Sequence, residues 1–493
     1  MNKRIEEVYK WGLELSEFSP RIPGTKNIEK TKDYIVDKLR NFGLKVWLEP
    51  INFRGVFFHD WEFSMIEPEY KTITSCPQNN VGFGDVKAEI IDIGKGTDKD
   101  YTRNDVKGKL VLINWGTLAD HEAACGFKKR YPLLASYDKA WINDVAGMVG
   151  YFEDTPGNSL KILEPGIKPM GGSNVPGPAE FGEKKQFKLP VLHIGKEDAE
   201  KLKKLIKNKK VKAELKIKGK RKISTVSNII GLLPGLKKGT ILIGAHYCTT
   251  FSGAICDTTG VVGALELARV FSELPLKKRR KSMIFIFSGS HVWLNCNISS
   301  LWFIEKHKKF MPNITAMLWM DHISDAVVIK GQKIKREKFP ARLGLTTDNF
   351  VVFLLTYAAM FKNKRFPLVL PLSRIWTLCE MGPFDNIGIP CMCMQVMNHV
   401  MLTTEDTWDK IDPLQLYRDI SVYIDMARAI HTIPGKIMKA FEFRGRSFFG
   451  CGALFKTIKQ PKYNKGEHFI PEEAPNLLIG GQFEPIYARK PIE

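Results

Sequence analysis

The chain has 493 residues, which is more than one compact hydrophobic core normally holds, so we expect about two or three domains. Hydrophobic residues make up 44% and charged residues 26%, which is typical of a folded globular protein and excludes a disordered chain. No apolar run is long enough to cross a membrane, and the N-terminus lacks a secretory apolar stretch, so we expect a cytoplasmic location and no membrane partner.

The net charge bears on the possible partners, and the number of cysteines bears on whether disulfides form. The formal net charge of +21 would allow a nucleic acid or another acidic surface to bind. The basic residues nevertheless stand in short clusters beside apolar segments, in residues 201–212, 216–222 and 277–281, without a nucleic-acid-binding motif. We therefore expect them to solvate the surface. The nine cysteines are an odd number in a chain too long to need disulfides, so reduced thiols are expected.

The first 60 residues read as a helix, a loop, a second helix and a strand. The prolines and the glycine of SPRIPGT, residues 19–25, predict the loop. Apolar residues at helical spacing predict the second helix over residues 30–42, and Gly43 ends it. Residues 44–50 are typical of a strand.

From about residue 85 to residue 222, short β runs alternate with loops. Strands are predicted over residues 88–93, 110–115, 148–152 and 191–194. A helix is predicted over residues 198–207. The sequence thus indicates an inserted, mostly-β domain.

Residues 223–432 alternate β runs with apolar helices. The predicted order is strand 241–245, helix 261–274, strand 282–287, helix 300–307 and strand 314–320. This alternation predicts a mainly parallel sheet with helices on both faces. Cys391 and Cys393 lie in an apolar run and predict a buried strand, because no second cysteine pair of zinc spacing accompanies them. Residues 433–493 look like an irregular extension.

The most informative stretch is GAHYCTTFSGAICDTTG, residues 244–260. A predicted strand places His246 at its carboxyl end, where α/β proteins locate their chemistry, and a glycine then opens an apolar helix. This stretch resembles the metal loop of the di-zinc aminopeptidases of metallopeptidase family 28. The segments VKGKLVLI, residues 106–113, and LPVLHIGKED, residues 189–198, resemble the protease-associated domain that such enzymes often carry as an insertion.

The resemblance implies an α/β fold, a zinc-aminopeptidase-like three-layer α/β/α domain with a mainly parallel sheet, plus an inserted mostly-β domain. Residues 1–84 would form the N-terminal part of the peptidase-like domain, and residues 85–222 the protease-associated-like insertion. Residues 223–432 would form the main peptidase-like domain, followed by the extension of residues 433–493.

The resemblance also assigns the candidate metal ligands. His246 and Asp321 stand at ligand positions of the family and are retained. Cys256 stands where the family has the aspartate that bridges two zinc ions, and Cys248 stands at the first aspartate of the loop. A neutral imidazole, a thiolate and a carboxylate are an acceptable ligand set for one zinc ion.

Three other family positions carry residues that change the chemistry. His291 stands at the general base, Val292 at a metal ligand and Leu402 at a ligating histidine. Valine and leucine side chains bind no metal, so the resemblance implies loss of the dinuclear centre unless His399 moves in. We favour a structural interpretation, in which the retained polar residues pair with each other and the cysteines fill the vacated space, because a three-ligand site without its carboxylate base cannot catalyse in the family's manner.

The sequence therefore predicts a catalytically inactive relative, a pseudopeptidase, that binds a peptide-like ligand or a protein partner and needs no cofactor. The first alternative is a mononuclear zinc hydrolase using His246, Cys256 and Asp321, with His291 as acid or base. The second is an active zinc aminopeptidase with displaced ligands. Stoichiometric metal in the purified protein would favour either alternative.

Overall fold

The computed structural model describes residues 3–79, 81–117, 132–162, 188–292, 298–324, 328–330, 333–335, 342–372, 380–396 and 399–440. The described residues form two compact units. We call the described residues within 3–51, 225–401 and 406–440 the main unit, and those within 52–224 and 402–405 the inserted unit. Residues 52–84, which the sequence places in the N-terminal part of the peptidase-like domain, cluster with the inserted unit.

Helices and strands alternate along most of the chain. The helices are α1 (Lys3–Ser16), α2 (Lys26–Asn41), α3 (Asp98–Arg103), α4 (Pro132–Ile142), α5 (Lys196–Asn208), α6 (Thr259–Ser272), α7 (Ile298–Lys306), α8 (Phe350–Lys362), α9 (Met381–Asn386), α10 (Pro413–Thr432) and α11 (Gly435–Ala440). The strands are β1 (Lys45–Glu67), β2 (Lys71–Ile73), β3 (Ser75–Pro77), β4 (Gly84–Asp92), β5 (Leu110–Asn114), β6 (Gly147–Tyr151), β7 (Val191–Ile194), β8 (Val211–Leu233), β9 (Lys237–His246), β10 (Lys281–Ser288), β11 (Ile314–Met320), β12 (Val328–Lys330), β13 (Lys333–Lys335), β14 (Arg342–Thr347), β15 (Leu368–Leu372) and β16 (Cys391–Val396). None of the described helices combines the length and apolar character needed to cross a bilayer.

The main unit is built on a mixed sheet in which most neighbouring strands are parallel. Its strand order is β15-β14-β16-β11-β9-β10-β8. The pairs β14–β15, β16–β11, β11–β9 and β9–β10 are parallel, whereas β14–β16 and β10–β8 are antiparallel. The prediction of a mainly parallel sheet is confirmed.

Helices cover both faces of this sheet. Met317 and Trp319 of β11 belong to a buried cluster that includes Phe303 of α7 and Phe384 of α9. On the opposite face, the side chain of Met320 lies close to α6 and α10. Both cysteines of β16 are fully buried, as the apolar run around them predicts.

Within its described residues, the inserted unit contains a second group of paired strands and three helices. The first half of β8 pairs antiparallel with β4, the strands β4, β5, β6 and β7 are parallel, and β3 closes the edge against β7. The second half of β1 forms an antiparallel pair with β2. Of its helices α3, α4 and α5, the sequence predicts only α5.

His193 on β7 is a buried imidazole at the centre of the inserted unit. Its Nδ1 accepts a hydrogen bond from the backbone N–H of Lys161 at 3.3 Å, and its ring stacks on Phe152 with centroids 5.3 Å apart. Burial lowers the pKa of His193 to about 3. Its folded pKa therefore lies below the usual value of about 6.5, and the unfolded chain binds a proton that the folded chain excludes.

Removal of this imidazole should change how stability depends on pH. Stability contributed by neutral His193 is present above about pH 6.5 and is lost as the pH falls towards the folded pKa. Between about pH 6 and pH 4, the free energy of unfolding should fall less steeply with decreasing pH in His193→Gln than in the wild type. The difference in slope should be up to about 1.4 kcal/mol per pH unit. Urea unfolding across this range measures the slope. His59→Gln changes an exposed imidazole of the same unit and is the control. Equal slopes for the wild type and His193→Gln would contradict the assignment.

Candidate functional site

Polar side chains from three strand ends meet at one edge of the main sheet. β9 ends at His246, and the chain segments after β10 and β11 supply His291, Asp321 and His322. All four are buried. Because parallel strands end at the same edge, the topology brings together residues that are far apart in the sequence.

His246 lies at the centre of this group. Its Nδ1 lies 3.0 Å from the backbone carbonyl of Cys248, to which it donates, so Nε2 carries the lone pair. Nε2 lies 3.7 Å from Cys256 Sγ and 3.4 Å from Asp321 Oδ1. The ring stacks on that of His291, with centroids 4.1 Å apart and an interplanar angle of 1°. Burial lowers the pKa of His246 to about 3, so the imidazole is neutral.

Among the described residues, Asp321 contacts imidazole and amide groups and forms no ion pair with a lysine or arginine. Its Oδ1 lies 3.0 Å from His322 Nε2, and its Oδ2 accepts a hydrogen bond from Gln395 Nε2 at 3.1 Å. Burial opposes ionisation of this carboxyl, but the neighbouring imidazoles of His322 and His246 outweigh it and hold the pKa well below its usual range. The imidazoles around Asp321 therefore favour the ionised form of its carboxyl.

His291 forms a second polar pair, with Glu380. Its Nδ1 lies 2.7 Å from Glu380 Oε2, and the Glu380 side chain is fully buried. Burial raises the pKa of Glu380. Sequence reasoning missed both Glu380 and His322. The only signals were the position of His322 directly after a predicted ligand and the position of Glu380 two residues before the GPFDNIGIP loop.

Asp257 fixes the backbone of the site. Its Oδ2 accepts a hydrogen bond from the N–H of His246 at 3.3 Å, and its Oδ1 accepts from the N–H of His322 at 3.2 Å and of Gly260 at 3.0 Å. This one carboxylate thus ties together β9, the end of β11 and the start of α6. Burial raises the pKa of Asp257 well above its usual value.

Asp406 holds the loop that carries Cys256. It accepts hydrogen bonds from the N–H of Ile255 at 2.7 Å and from the N–H of Cys256 at 3.2 Å. Burial raises the pKa of Asp406 to about 6. The position of the Cys256 thiol therefore depends on a carboxylate from a distant part of the chain.

The positions where the family has acidic ligands are filled by compact, buried groups. Cys248 and Cys256 are buried, and burial raises the pKa of the Cys256 thiol well above its usual value. Val292 is 1% exposed, and its N–H lies 3.3 Å from Cys248 Sγ.

Leu402, which stands at the family's ligating histidine, lies in the inserted unit. Its carbonyl accepts a hydrogen bond from the N–H of Ile162 at 3.1 Å.

Two sets of three side chains place their ligand atoms within 4.8 Å of one another: His246, Cys256 and His322, and His246, His291 and Asp321. Each set shares two members with the His246, Cys256 and Asp321 site expected from the sequence. A centre with two zinc ions does not fit these residues, because Val292 offers no donor atom and Cys256 replaces the carboxylate that would bridge the ions. One ion fits the donor types that are present.

No known family profile matches the sequence, and no curated protein sequence matches it. Solved structures do. An aminopeptidase from Aneurinibacillus sp. strain AM-1 is 22% identical with a TM-score of 0.55, covering 86% of this chain and 93% of its own. The zinc aminopeptidase BSAP from Bacillus subtilis is 19% identical with a TM-score of 0.62, covering 87% and 97%. A peptidase M28 precursor from Shewanella amazonensis SB2B is 17% identical with a TM-score of 0.65, covering 87% and 96%. At these identities the likeness shows the fold, which is that of the zinc aminopeptidases.

Proposed function

We propose that the protein is a pseudopeptidase, which keeps the zinc-aminopeptidase fold without two-zinc chemistry and acts by binding a peptide-like ligand or a protein partner. The observation that supports this most directly is Val292. It follows β10 at a strand end of the site, is almost fully buried, and presents a hydrocarbon side chain where the resemblance requires a metal ligand. A second ion at this place would have no carboxylate to hold it.

The remaining acidic groups are engaged by the protein itself. Asp257 accepts three backbone hydrogen bonds, and Glu380 faces His291. A general base must be free to take a proton from a water molecule held near the substrate. His291 at the base position is paired with Glu380 instead, which supports a structural role for both.

We infer the class of ligand from the parts of the fold that are kept, and not from the metal ligands that are missing. The segment GPFDNIGIP, residues 382–390, resembles a family segment near the substrate pocket. Helix α9, which includes the first half of this segment, packs against α7 and β16. Preservation of this part of the scaffold supports retention of a peptide-sized cleft. Binding of short peptides with a free amino terminus is therefore the expected activity.

A mononuclear zinc hydrolase is the second candidate. The observation that favours it is the position of His246 Nε2, which lies 3.7 Å from Cys256 Sγ and 3.4 Å from Asp321 Oδ1. If an ion bound there, it would supply Lewis-acid activation of water or of a carbonyl oxygen. The residues around it would orient the substrate and exclude solvent.

We expect the purified protein not to cleave aminoacyl-anilides or short peptides, with or without added zinc, because the donors for a second ion and a free base are missing. Release of the chromophore from the anilide measures turnover. The wild type and His246→Ala should give the same background rate. Turnover above about 1 s⁻¹ that disappears in His246→Ala and on chelation would contradict the proposal and favour a hydrolase.

A further inference from the structure

We propose that His246, Cys256 and His322 form a binding site for a single zinc ion, with Asp321 hydrogen-bonded to His322 instead of ligating the metal. This assignment goes beyond the pseudopeptidase function, because an ion held in this way can order the site without cleaving a peptide bond. It also replaces the ligand set expected from the sequence, in which Asp321 was the third ligand.

His246 already has the outer hydrogen bond that zinc-binding histidines usually make. Its Nδ1–H donates to the carbonyl of Cys248 at 3.0 Å, which fixes the ring and leaves the Nε2 lone pair free. Ligating histidines commonly donate their second ring N–H to a backbone carbonyl or a carboxylate. The tautomer required for zinc binding is therefore present without rearrangement.

The distance from His246 to Cys256 suits two ligands of one ion. In a tetrahedral site with zinc–nitrogen and zinc–sulfur bonds of normal length, the nitrogen and sulfur atoms lie roughly 3.5–3.6 Å apart. His246 Nε2 and Cys256 Sγ are 3.7 Å apart. Asp406 holds the backbone N–H of Cys256, so the thiol is positioned by a hydrogen bond that does not involve His246.

His322 provides the independent observation. It is 8% exposed, and its Nδ1 makes no hydrogen bond within the described part of the chain, whereas its Nε2 lies 3.0 Å from Asp321 Oδ1. Leaving a buried polar atom unsatisfied is unfavourable. One ring nitrogen lies within 4.8 Å of the ligand atoms of both His246 and Cys256. An ion at this point would satisfy a ring nitrogen to which none of the described residues offers a hydrogen bond.

Asp321 then completes a carboxylate–histidine–zinc arrangement. Its Oδ1 lies 3.0 Å from His322 Nε2, and in the proposed arrangement this nitrogen donates to the carboxylate while Nδ1 binds the metal. Gln395 holds the other carboxylate oxygen. The ion would thus be coordinated by a thiolate and two imidazoles, donors that favour zinc over magnesium or calcium, with a fourth position for water or a ligand atom.

The test compares variants for metal binding, with no use of activity. Protein purified without added metal should contain about one zinc ion per chain, and Co²⁺ exchanged into the site should show a sulfur-to-cobalt charge-transfer absorption in the near ultraviolet. Cys256→Ala should abolish that absorption. Cys256→Ala and His322→Ala should each weaken zinc affinity by at least about 100-fold, whereas Asp321→Asn, which removes an outer partner, should weaken it by about 10-fold.

Matched controls separate metal binding from folding. Cys393→Ala removes another buried thiol of the main unit, and His431→Ala another buried imidazole; both should keep the zinc content and the absorption. Far-ultraviolet circular dichroism checks that each variant is folded. Absence of zinc uptake by folded wild type, or unchanged affinity in Cys256→Ala, would overturn the proposal. Loss of zinc in Asp321→Asn but not in His322→Ala would overturn the ligand assignment. None of these outcomes decides the pseudopeptidase function, which the anilide assay tests separately.

Discussion

Arg21→Met is expected to destabilise the main unit by about 3–5 kcal/mol, which is near the upper end for a single substitution. Arg21 is fully buried. Its guanidinium donates to the carbonyls of Tyr247 at 2.7 Å and Leu15 at 3.2 Å, and to the hydroxyls of Thr258 at 2.8 Å and Ser19 at 3.1 Å. These bonds tie the N-terminal segment to the loop that carries the candidate site.

Two effects of the substitution compete. Burial of a guanidinium is unfavourable and lowers the pKa of Arg21 to about 10, so removal of the charge relieves a cost. The acceptors remain buried after the substitution, however, and each unsatisfied one costs about 1–3 kcal/mol. With four acceptors involved, we expect the loss to dominate.

Urea unfolding measures the result. Arg40→Met on the exposed side of α2 is the matched control and should change the unfolding free energy by less than about 0.5 kcal/mol. A loss below about 1 kcal/mol in Arg21→Met would show that water or a rearranged side chain satisfies the acceptors.

Gly260→Ala should have a comparable effect, because helix α6 begins in direct contact with β11. A Cβ at Gly260 would lie 2.2 Å from the carbonyl oxygen of Met320 and 2.3 Å from Asp257 Oδ2. Neither atom is the end of a flexible side chain, so α6 or the end of β11 must move. We expect a loss of at least about 3 kcal/mol and, because Asp257 holds the backbone of His246 and His322, a loss of zinc binding as well.

Gly263→Ala is the matched control one turn further along α6. There the new Cβ would meet Met320 Cε at 2.4 Å, the end of a flexible side chain that can turn aside. Thermal unfolding and zinc content should separate the two variants. Similar behaviour of both would mean that α6 shifts as a whole and that the close approach at Gly260 has no special importance.

Strand and helix positions in the main unit could be predicted well where the local pattern is strong. The strand over residues 314–320 is found as predicted, because seven buried residues in a row leave little ambiguity. The strand over residues 44–50 was predicted too short, since Pro50 resembles a strand end, whereas β1 continues to Glu67. Helices α3 and α4 of the inserted unit were missed.

The candidate site shows the limit of sequence reasoning more clearly. Strand-end logic places His246 and Asp321 at the same edge of the sheet, and His246 Nε2 lies 3.4 Å from Asp321 Oδ1 in the structure. The pairing of His291 with Glu380 depends on how distant segments pack, and no local pattern encodes it. His322 is adjacent to a predicted ligand, but the absence of a hydrogen bond to its Nδ1 among the described residues is visible only in three dimensions.

The burial of the thiols also gives a way to observe motion. All five cysteines of the described residues are buried thiols, so an alkylating reagent can reach them only when the surrounding structure opens. The modification rate at Cys393 reports opening of the central sheet, and the rate at Cys256 reports opening of the loop around the candidate site. Comparison of the two modification rates by peptide mass mapping would show whether that loop opens independently of the core, without any engineered probe.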